Sequence, residues 1–439
     1  MKYISKSLVF ILVIILFSPI WLKILPIIDI KPLYGSFIKK EYKSFDINSW
    51  FDATYQENLE EYLLLDNSLS PFLIRLYNQI DYSFFDQIHM SQGIMGRDNY
   101  LYETGYIETY FGRDKISDSA MESYAYKLKY VSDTLKKLNK TLLYIQCPGK
   151  ASYYPEYIID SLNSIEDKNS NYHTLAKKFD KHKIEYIDFR PYFLAQKNTT
   201  KYPYFTQTGI HWSYYSQSIV MDSIITHLND VYNYQIPNIK VEYIEEDHAR
   251  NLDKDVEDVM NLLFQINGPK YGYPKITFPD NQKKDVKLLL MSDSYLGNLY
   301  WNSFFRCFHP KSQFWFYNTQ IHCGFNYNDA HILQLNYIEE VLNMDLIIVG
   351  ATEPGIKSTS WGFINNLYEY FKYGNEISTN NQIILDNVEK LVKEYKKEKE
   401  INIEIKNLAT KFNVPYDSAI FIKSLWDIER KKYRLILHN

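Results

Sequence analysis

Short, continuously apolar segments alternate with helical patterns through the middle of the chain. The segments that predict strands are Thr141 to Gln146, Ile184 to Phe189, Val286 to Met291, Gln313 to Tyr317 and Asp345 to Gly350. Helical periodicity falls near residues 117–138, 170–182, 213–229 and 331–343. Strands that are apolar at every position are typical of a parallel sheet covered on both faces. The alternation predicts a doubly wound α/β domain, in which functional residues gather at the carboxyl ends of the strands.

The amino-terminal segment has a different pattern. Lys2 and Lys6 precede an uninterrupted apolar run from Leu8 to Phe17, and Trp21 follows where an interfacial aromatic residue would lie. This pattern predicts a membrane-anchoring signal over residues 1–25, with the body of the protein outside the cytoplasm, or in the periplasm if the cell is Gram-negative. The apolar stretch is only marginally long enough to span a bilayer, so secretion after signal cleavage is the alternative.

The remaining boundaries follow from changes in composition. The composition predicts an irregular tether and a helical segment over residues 26–90, and the α/β domain over residues 91–375. Within that domain, residues 235–282 predict an insertion or lid, because they contain the acidic run Glu242 to Asp258 and a Gly/Pro-rich stretch. The charged pattern of residues 376–439 predicts a solvated helical tail.

Composition narrows the class of function. The 439-residue chain carries a formal net charge of −4, so no basic surface indicates a nucleic-acid partner. Its three cysteines fit neither a disulfide framework nor a zinc motif, and we expect no metal. The chain is rich in aromatic residues, with 41 Tyr, 25 Phe and 7 Trp. This content could reflect an AT-rich genome, or it could indicate a surface of aromatic side chains that stack on sugars.

Two short motifs carry the candidate chemistry. Ser294, in Ser-Asp-Ser-Tyr at residues 292–295, follows a predicted strand and precedes a predicted helix. A serine at the start of a helix meets backbone N–H groups that can stabilise an oxyanion. His211, in Thr-Gly-Ile-His-Trp at residues 208–212, is the candidate base for the serine proton. Each motif has a simpler alternative, since the serine motif could cap a helix and the histidine could pack in the core.

Together, the ordered motifs resemble the SGNH-hydrolase-like domain of the alginate O-acetyltransferase family, the AlgJ and AlgX type. The shared segments are Gly96 to Tyr102, Pro148 to Glu156, Ile187 to Arg190, Thr208 to Trp212, Ser292 to Tyr295 and Ala351 to Glu353. In that family the histidine motif precedes the serine motif, as it does here. The resemblance covers roughly residues 90–370. It implies an SGNH-hydrolase-like fold with Ser294 as nucleophile and His211 as base.

The resemblance fails at the third member of the catalytic triad. The family carries an orienting aspartate two residues before the histidine, where this chain has Gly209. The alternatives are a backbone carbonyl, the hydroxyl of Thr208, or an acid elsewhere, for which Asp188 at its strand end is a candidate. Asp293 is a poor substitute, because its neighbours indicate a structural role. The further motif residues expected to border the site are Lys150, Trp212, Ser292, Asp293 and Tyr295.

The resemblance implies an extracytoplasmic O-acetyltransferase that moves an acetyl group to polysaccharide hydroxyls through an acyl-serine. We expect no cofactor, because a membrane-bound O-acyltransferase partner would supply the acetyl group across the bilayer. A glycan O-acetyl esterase would need the same two residues, with water as the acceptor. A non-catalytic glycan-binding or assembly protein on this fold is supported by Gly209 and by Ser292, which stands where the family usually has glycine.

Overall fold

The computed structural model arranges its described residues as one large mixed sheet, two small sheets and surrounding helices. The described residues are 13, 33–35, 44–66, 70–159, 165–278, 285–323, 330–332, 335–374, 379–412, 416–417, 419–424 and 427–428. Their strands are β1 Gly93–Met95, β2 Leu101–Glu103, β3 Thr141–Cys147, β4 Tyr186–Asp188, β5 Lys240–Glu246, β6 Tyr271–Thr277, β7 Leu288–Ser292, β8 Gln313–Phe316, β9 Gln320–Cys323, β10 Ala330–His331 and β11 Leu346–Thr352.

The α-helices of the same residues are α1 Ile47–Phe51, α2 Thr54–Asp66, α3 Ser70–Phe85, α4 Thr104–Tyr110, α5 Asp118–Lys137, α6 Lys150–Tyr153, α7 Asn171–His182, α8 Phe189–Gln196, α9 Tyr214–Tyr232, α10 Asp255–Met260, α11 Ser294–Trp301, α12 Tyr337–Leu342, α13 Phe363–Tyr373, α14 Thr379–Tyr395 and α15 Lys399–Phe412. Short 3-10 segments are Arg97–Asn99, Pro155–Tyr157, Asn251–Lys254, Phe304–Cys307 and Glu353–Gly362.

The large sheet has the strand order β10-β9-β8-β7-β11-β3-β4 within the described part of the chain. The strands from β8 to β4 are parallel, whereas β9 and β10 pair antiparallel at one edge. The predicted parallel sheet is therefore present in the centre, but an all-parallel sheet is wrong at this edge. Residues 317–319 alone connect β8 to β9. A connection that short permits a hairpin but not the crossover that a parallel pair needs.

Helices cover both faces of this sheet. Every residue of β7 and of β11 is buried. On one face, Leu288 and Leu290 of β7 pack with residues of α8, α9 and α11. On the other face, Leu289 and Met291 pack with residues of α5, α7, α12 and α13. Burial on both faces explains why these strands are apolar at every position. It also leaves the carboxyl edge of the strands as the place where polar side chains can meet.

The segment 235–282, predicted as an insertion or lid, contains an antiparallel hairpin. Its strands β5 and β6 pair along their full length. The hydroxyl groups of Tyr243 in β5 and Ser218 in α9 hydrogen-bond at 2.9 Å, which attaches the hairpin to the domain. Between its two strands, the chain passes through the 3-10 turn Asn251–Lys254 and α10. This inner part of the hairpin reaches the candidate site.

The amino-terminal helices meet the domain at the end of α10. Asn78 of α3 donates its amide N–H to the carbonyl of Met260 at 2.8 Å. Among the described helices, none has both the length and the apolar character needed to cross a membrane. Apart from Val13, the predicted anchor over residues 1–25 lies outside the described residues, so it stays a prediction.

The carboxy-terminal helices have an apolar contact of their own. Ile405 of α15 packs with Ala419 and Ile420 in a small buried cluster. The sequence predicted only a solvated helix in this region. The cluster shows that part of the tail buries apolar surface, because its helices pair with each other.

Candidate active site

Ser294 is the first residue of α11, directly after β7 ends at the carboxyl edge of the sheet. Asp293 caps this helix by accepting a hydrogen bond from the Tyr295 N–H at 3.1 Å. Its other oxygen accepts from the backbone N–H and the hydroxyl of Thr352, at 2.7 and 2.8 Å. Burial raises the pKa of the Asp293 carboxyl, and the Thr352 bonds oppose this shift. Asp293 thus ties the ends of β7 and β11 together and leaves Ser294 at the opening.

The segment that carries His211 is held against the start of α11 by reciprocal hydrogen bonds. The Trp212 indole donates to the Tyr295 carbonyl at 3.1 Å, and the Tyr295 hydroxyl donates to the Ile210 carbonyl at 2.7 Å. His211 lies between these two attached neighbours. Its Nε2 atom is 2.9 Å from Ser294 Oγ. The structure therefore brings the two predicted residues together at the distance of a hydrogen bond.

The other ring nitrogen of His211 has a carboxylate partner that the sequence analysis did not assign. Asp255, the first residue of α10, hydrogen-bonds His211 Nδ1 through one carboxylate oxygen. The second oxygen accepts from the Ile210 N–H at 2.8 Å. Ser294, His211 and Asp255 therefore form one continuous chain of hydrogen bonds. This is the arrangement that activates a serine nucleophile.

Gly209 makes room for this acid. A Cβ atom at position 209 would lie 2.6 Å from the carbonyl oxygen of Leu252 and 2.8 Å from Thr206 Oγ1. The turn that leads into α10 therefore occupies the space where an aspartate at position 209 would begin. The Thr206 hydroxyl also donates to the Asp253 carbonyl at 2.6 Å, which fastens the turn to this loop. Because position 209 has no side chain, the turn can pass close to it and bring Asp255 to His211.

The two side chains suggested from sequence as orienting groups are not the partners of His211. The Thr208 hydroxyl donates to the Asp253 carbonyl at 3.3 Å. The Asp188 carboxylate caps α8 by accepting from the Arg190 N–H at 3.0 Å. It also lies at the end of β4, which β11 and β3 separate from β7. Both suggestions are wrong for the same reason, since the acid comes from the segment that was predicted as an insertion or lid.

Lys150 supports the loop that carries the histidine. It is fully buried, and its ammonium group donates to the carbonyls of Leu101, Gln207 and Gly209 at 2.7, 2.8 and 2.7 Å. These bonds use all three N–H groups of the ammonium. Burial lowers the pKa of Lys150, and the charge of Asp255 opposes this shift. The lysine thus fastens the loop at residues 207–209 to the start of β2.

Tyr317, which the sequence analysis did not single out, lies beside the nucleophile. It follows β8, and its N–H donates to the carbonyl of Ser292 at 2.9 Å. Its φ of 51° lies in the left-handed region, which is uncommon for a bulky residue and frequent at functional sites. Burial raises the pKa of the Tyr317 hydroxyl to about 12, and the nearby side chain and backbone of Ser294 oppose this shift. The phenol therefore stays protonated near neutral pH and can act as a donor.

Negative charge surrounds the His211 ring. Burial lowers the pKa of the imidazole, but the hydrogen bond and charge of Asp255, with the charges of Glu103 and Asp293, outweigh burial and raise the pKa overall. Burial also raises the pKa of the Glu103 carboxyl, and the charge of Asp255 adds to that shift. This environment favours the imidazolium ion, which is the form that His211 takes after it accepts a proton.

A groove of about 380 Å³ is lined by residues that lie a few positions along the chain from the histidine and the acid, but not by Ser294, His211 or Asp255 themselves. Its lining includes Tyr214 in the first turn of α9 and Asn251 in the turn before α10. Trp301, at the end of α11, is partly exposed there. The Arg250 guanidinium lies 3.8 Å from the centre of the Tyr273 ring. The groove therefore combines aromatic side chains with a guanidinium group.

Comparison with protein families supports the resemblance found in the motifs. Residues 94–274 match the family described as ALGX, SGNH hydrolase-like domain, acetyltransferase AlgX. The matched residues include His211 and Asp255 and end before Ser294. The resemblance predicted from sequence is therefore confirmed. No curated protein sequence is significantly similar to this chain.

Several solved structures resemble this chain. The O-acetyltransferase domain of Pseudomonas putida AlgJ is 16% identical, with 63% of this chain and 98% of that chain covered and a TM-score of 0.41. Pseudomonas aeruginosa AlgX is 12% identical, with 62% and 67% covered and a TM-score of 0.42. Bacillus cereus PatB1 is 12% identical, with 62% and 99% covered and a TM-score of 0.40.

Proposed function

We propose, from the match of residues 94–274 to the family of AlgX-type SGNH hydrolase-like acetyltransferases, that this protein acetylates hydroxyl groups of a polysaccharide through an acyl-serine intermediate. The observation that carries the proposal is the hydrogen-bonded chain from Ser294 through His211 to Asp255. With this acid in place, Gly209 no longer argues for a protein that only binds glycans. The site has a nucleophile, a base and an orienting carboxylate.

In the first half-reaction, Ser294 Oγ attacks the carbonyl carbon of an acetyl ester or thioester. His211 Nε2 takes the hydroxyl proton, and Asp255 stabilises the imidazolium ion that forms. The carbonyl oxygen becomes an oxyanion, for which the Ser294 N–H and the Tyr317 hydroxyl are the nearby donors. The bond to the donor then breaks, His211 returns the proton to the leaving group, and Ser294 carries the acetyl group.

In the second half-reaction, a sugar hydroxyl takes the place of the departed donor. His211 accepts its proton as the sugar oxygen attacks the acetyl carbon, and the bond to Ser294 Oγ breaks with return of the proton to the serine. The groove beside Tyr214 and Trp301 is the surface on which we place the glycan. Aromatic contacts there would hold the acceptor and reduce access of water to the acyl-serine.

The donor and the cellular location are part of the same proposal. The predicted anchor over residues 1–25 would hold the domain outside the cytoplasm, where acetyl-coenzyme A is absent. A membrane-bound O-acyltransferase would then supply the acetyl group across the bilayer. The apolar amino terminus and the match to the acetyltransferase family support this arrangement. No cofactor is needed, because the serine itself carries the acetyl group.

The experiment uses the purified protein, p-nitrophenyl acetate as donor and acetyl-free oligosaccharides as acceptors. Wild type should release nitrophenol and form acetylated sugar, whereas Ser294→Ala should do neither. Ser223→Ala is the matched control, since its hydroxyl donates to a carbonyl within α9 and it should behave like wild type. Release of acetate with no acetylated sugar for any acceptor would favour an esterase. Failure of Ser294 to react with a serine-directed acylating probe would favour a non-catalytic protein.

A further inference from the structure

Helix α3 turns its apolar side to the solvent. Six of its large apolar residues are between 37% and 78% exposed, and they are Phe72, Leu73, Leu76, Tyr77, Ile80 and Phe84. At 100° per residue these six positions fall within an arc of about 140° on the helix, and two further exposed apolar residues, Ile74 and Phe85, widen the arc to about 220°. Trp50 and Phe51 of α1, which contacts α2, are also exposed. We call this pair and the first six residues named above the N-terminal apolar face.

The side of α3 that meets the domain is mixed, because Asn78 is polar whereas the partly buried Tyr82 packs against an apolar cluster that includes Met260. Asn78 is the one residue of α3 that is buried, and it donates to the Met260 carbonyl at 2.8 Å. A helix on the surface of a soluble protein usually turns most of its apolar residues toward the core, whereas most of those on α3 are exposed. Contiguous exposed apolar surface of this extent marks a site of contact with a partner or a membrane.

The path of the chain indicates what covers this face. The backbone N–H of Tyr34 donates to the Asn261 side-chain oxygen at 2.8 Å, and the Asn261 amide donates back to the Tyr34 carbonyl at 3.0 Å. The tether is therefore fastened one residue from Met260, where α3 is attached. The amino-terminal apolar segment ends at Leu22, and 34 − 22 gives 12 residues to Tyr34. Such a length spans at most about 43 Å, so an anchored amino terminus holds α3 near the bilayer.

We propose that the N-terminal apolar face lies in the interfacial layer of a phospholipid bilayer and orients the domain on the membrane. Exposed Trp, Tyr and Phe side chains suit this layer, because their rings are apolar with a polar tip in two of the three. Helix α3 carries one basic and one acidic residue, Arg75 and Asp81, so burial of apolar surface rather than attraction to anionic headgroups drives the contact.

This orientation has a consequence for the site. Helix α10 begins with Asp255 and ends with Met260, which contacts α3. At 1.5 Å per residue, the two ends of this helix are about 8 Å apart. The carboxylate that orients His211 therefore lies one short helix away from the element that we place on the membrane. An acetyl donor delivered at the bilayer would reach the site over a short distance.

The test is made on the full-length protein in phosphatidylcholine vesicles. A nitroxide label on Phe84→Cys reports the apolar face, and the same label on Tyr126→Cys is the matched control. Tyr126 is 48% exposed on α5, which covers the sheet face opposite α9. The native thiols of Cys147 and Cys307 are buried, and labelling of the unsubstituted protein gives the background. Electron paramagnetic resonance then measures collisions with oxygen, which enters lipid, and with a water-soluble nickel chelate.

We expect the Phe84→Cys label to lose nickel collisions and keep oxygen collisions, while the Tyr126→Cys label keeps both. The result should not change when salt is added. Equal nickel access at the two labels would overturn the proposal, as would loss of the effect at high salt. Protection of the Phe84→Cys label from both reagents would also overturn it, in favour of a protein partner. Reaction of Ser294 with an acylating probe checks that each variant is folded, and Leu73→Cys gives a second readout on the same face.

Discussion

Replacement of Asp255 by asparagine tests the role of the acid on α10. Asparagine keeps the size of the side chain but removes its charge, and its NH₂ group cannot accept the Nδ1 proton. In Ser-His-Asp enzymes the corresponding change lowers kcat about 10⁴-fold because it selects the wrong imidazole tautomer. At 1.36 kcal/mol per factor of ten, that loss is about 5.4 kcal/mol of transition-state stabilisation. We expect a loss of the same order, because Asp255 holds both His211 Nδ1 and the Ile210 N–H.

The assay is release of nitrophenol from p-nitrophenyl acetate between pH 5 and 9, with circular dichroism as the control for folding. Asp255 raises the pKa of His211, and the base must be neutral to take a proton. The acid limb of the wild-type profile should therefore lie above the ordinary histidine range, and any residual activity of Asp255→Asn should have its acid limb at lower pH. If Asp255→Asn keeps more than about one tenth of the wild-type kcat and its acid limb does not shift, then Asp255 does not orient His211.

A second variant tests whether the orienting acid must come from position 255 or only needs to supply a carboxylate. Gly209→Asp in the Asp255→Asn background returns the acid to the position that the family usually uses. We expect no recovery, because the Cβ at position 209 would lie 2.6 Å from the Leu252 carbonyl and displace the turn before α10. Recovery of activity in the double variant would show that the histidine accepts an acid from either segment and that the close approach at Gly209 does not matter.

Three further changes have defined outcomes. Tyr317→Phe should slow acylation of Ser294 by about 10²–10³-fold if its hydroxyl holds the oxyanion, which stopped-flow detection of nitrophenol measures; an unchanged rate would exclude that role. Lys150→Met should lower the free energy of unfolding in urea by about 3–5 kcal/mol, because three buried carbonyls lose their donor, and a loss below about 1 kcal/mol would contradict this. Trp301→Ala should raise KM for an oligosaccharide acceptor without altering acylation by p-nitrophenyl acetate, and an unchanged KM would place the glycan elsewhere.

Local patterns were enough to predict the centre of the fold. Continuous apolar residues in β7 and β11 indicated strands buried on both faces, and they are the central strands of the sheet. The antiparallel edge was not predictable in the same way, because β9 and β10 are short and the direction of β9 is set by the turn of residues 317–319 rather than by an apolar pattern.

The candidate site was likewise predictable only in part from the sequence. Ser294 and His211 each lie in a recognisable motif, the serine after a strand and the histidine in a loop, so sequence alone predicted that they act together. Asp255 has no motif, and it is 44 residues from His211 along the chain. Its neighbours in the acidic run look alike in sequence, and only the close approach of the turn to Gly209 shows which carboxylate enters the site. The missing side chain at position 209 was the available signal, since a glycine there leaves room for another segment.

The most direct test of the central claim is to locate the acetyl group on the enzyme itself. Wild type is mixed briefly with p-nitrophenyl acetate, quenched in acid, digested and analysed by mass spectrometry. We expect one acetyl group on Ser294 in wild type, none on this peptide in Ser294→Ala, and formation about 10⁴-fold slower in Asp255→Asn. An acetyl group on another residue, or equally fast formation in Asp255→Asn, would contradict the assignment of these residues as nucleophile and orienting acid.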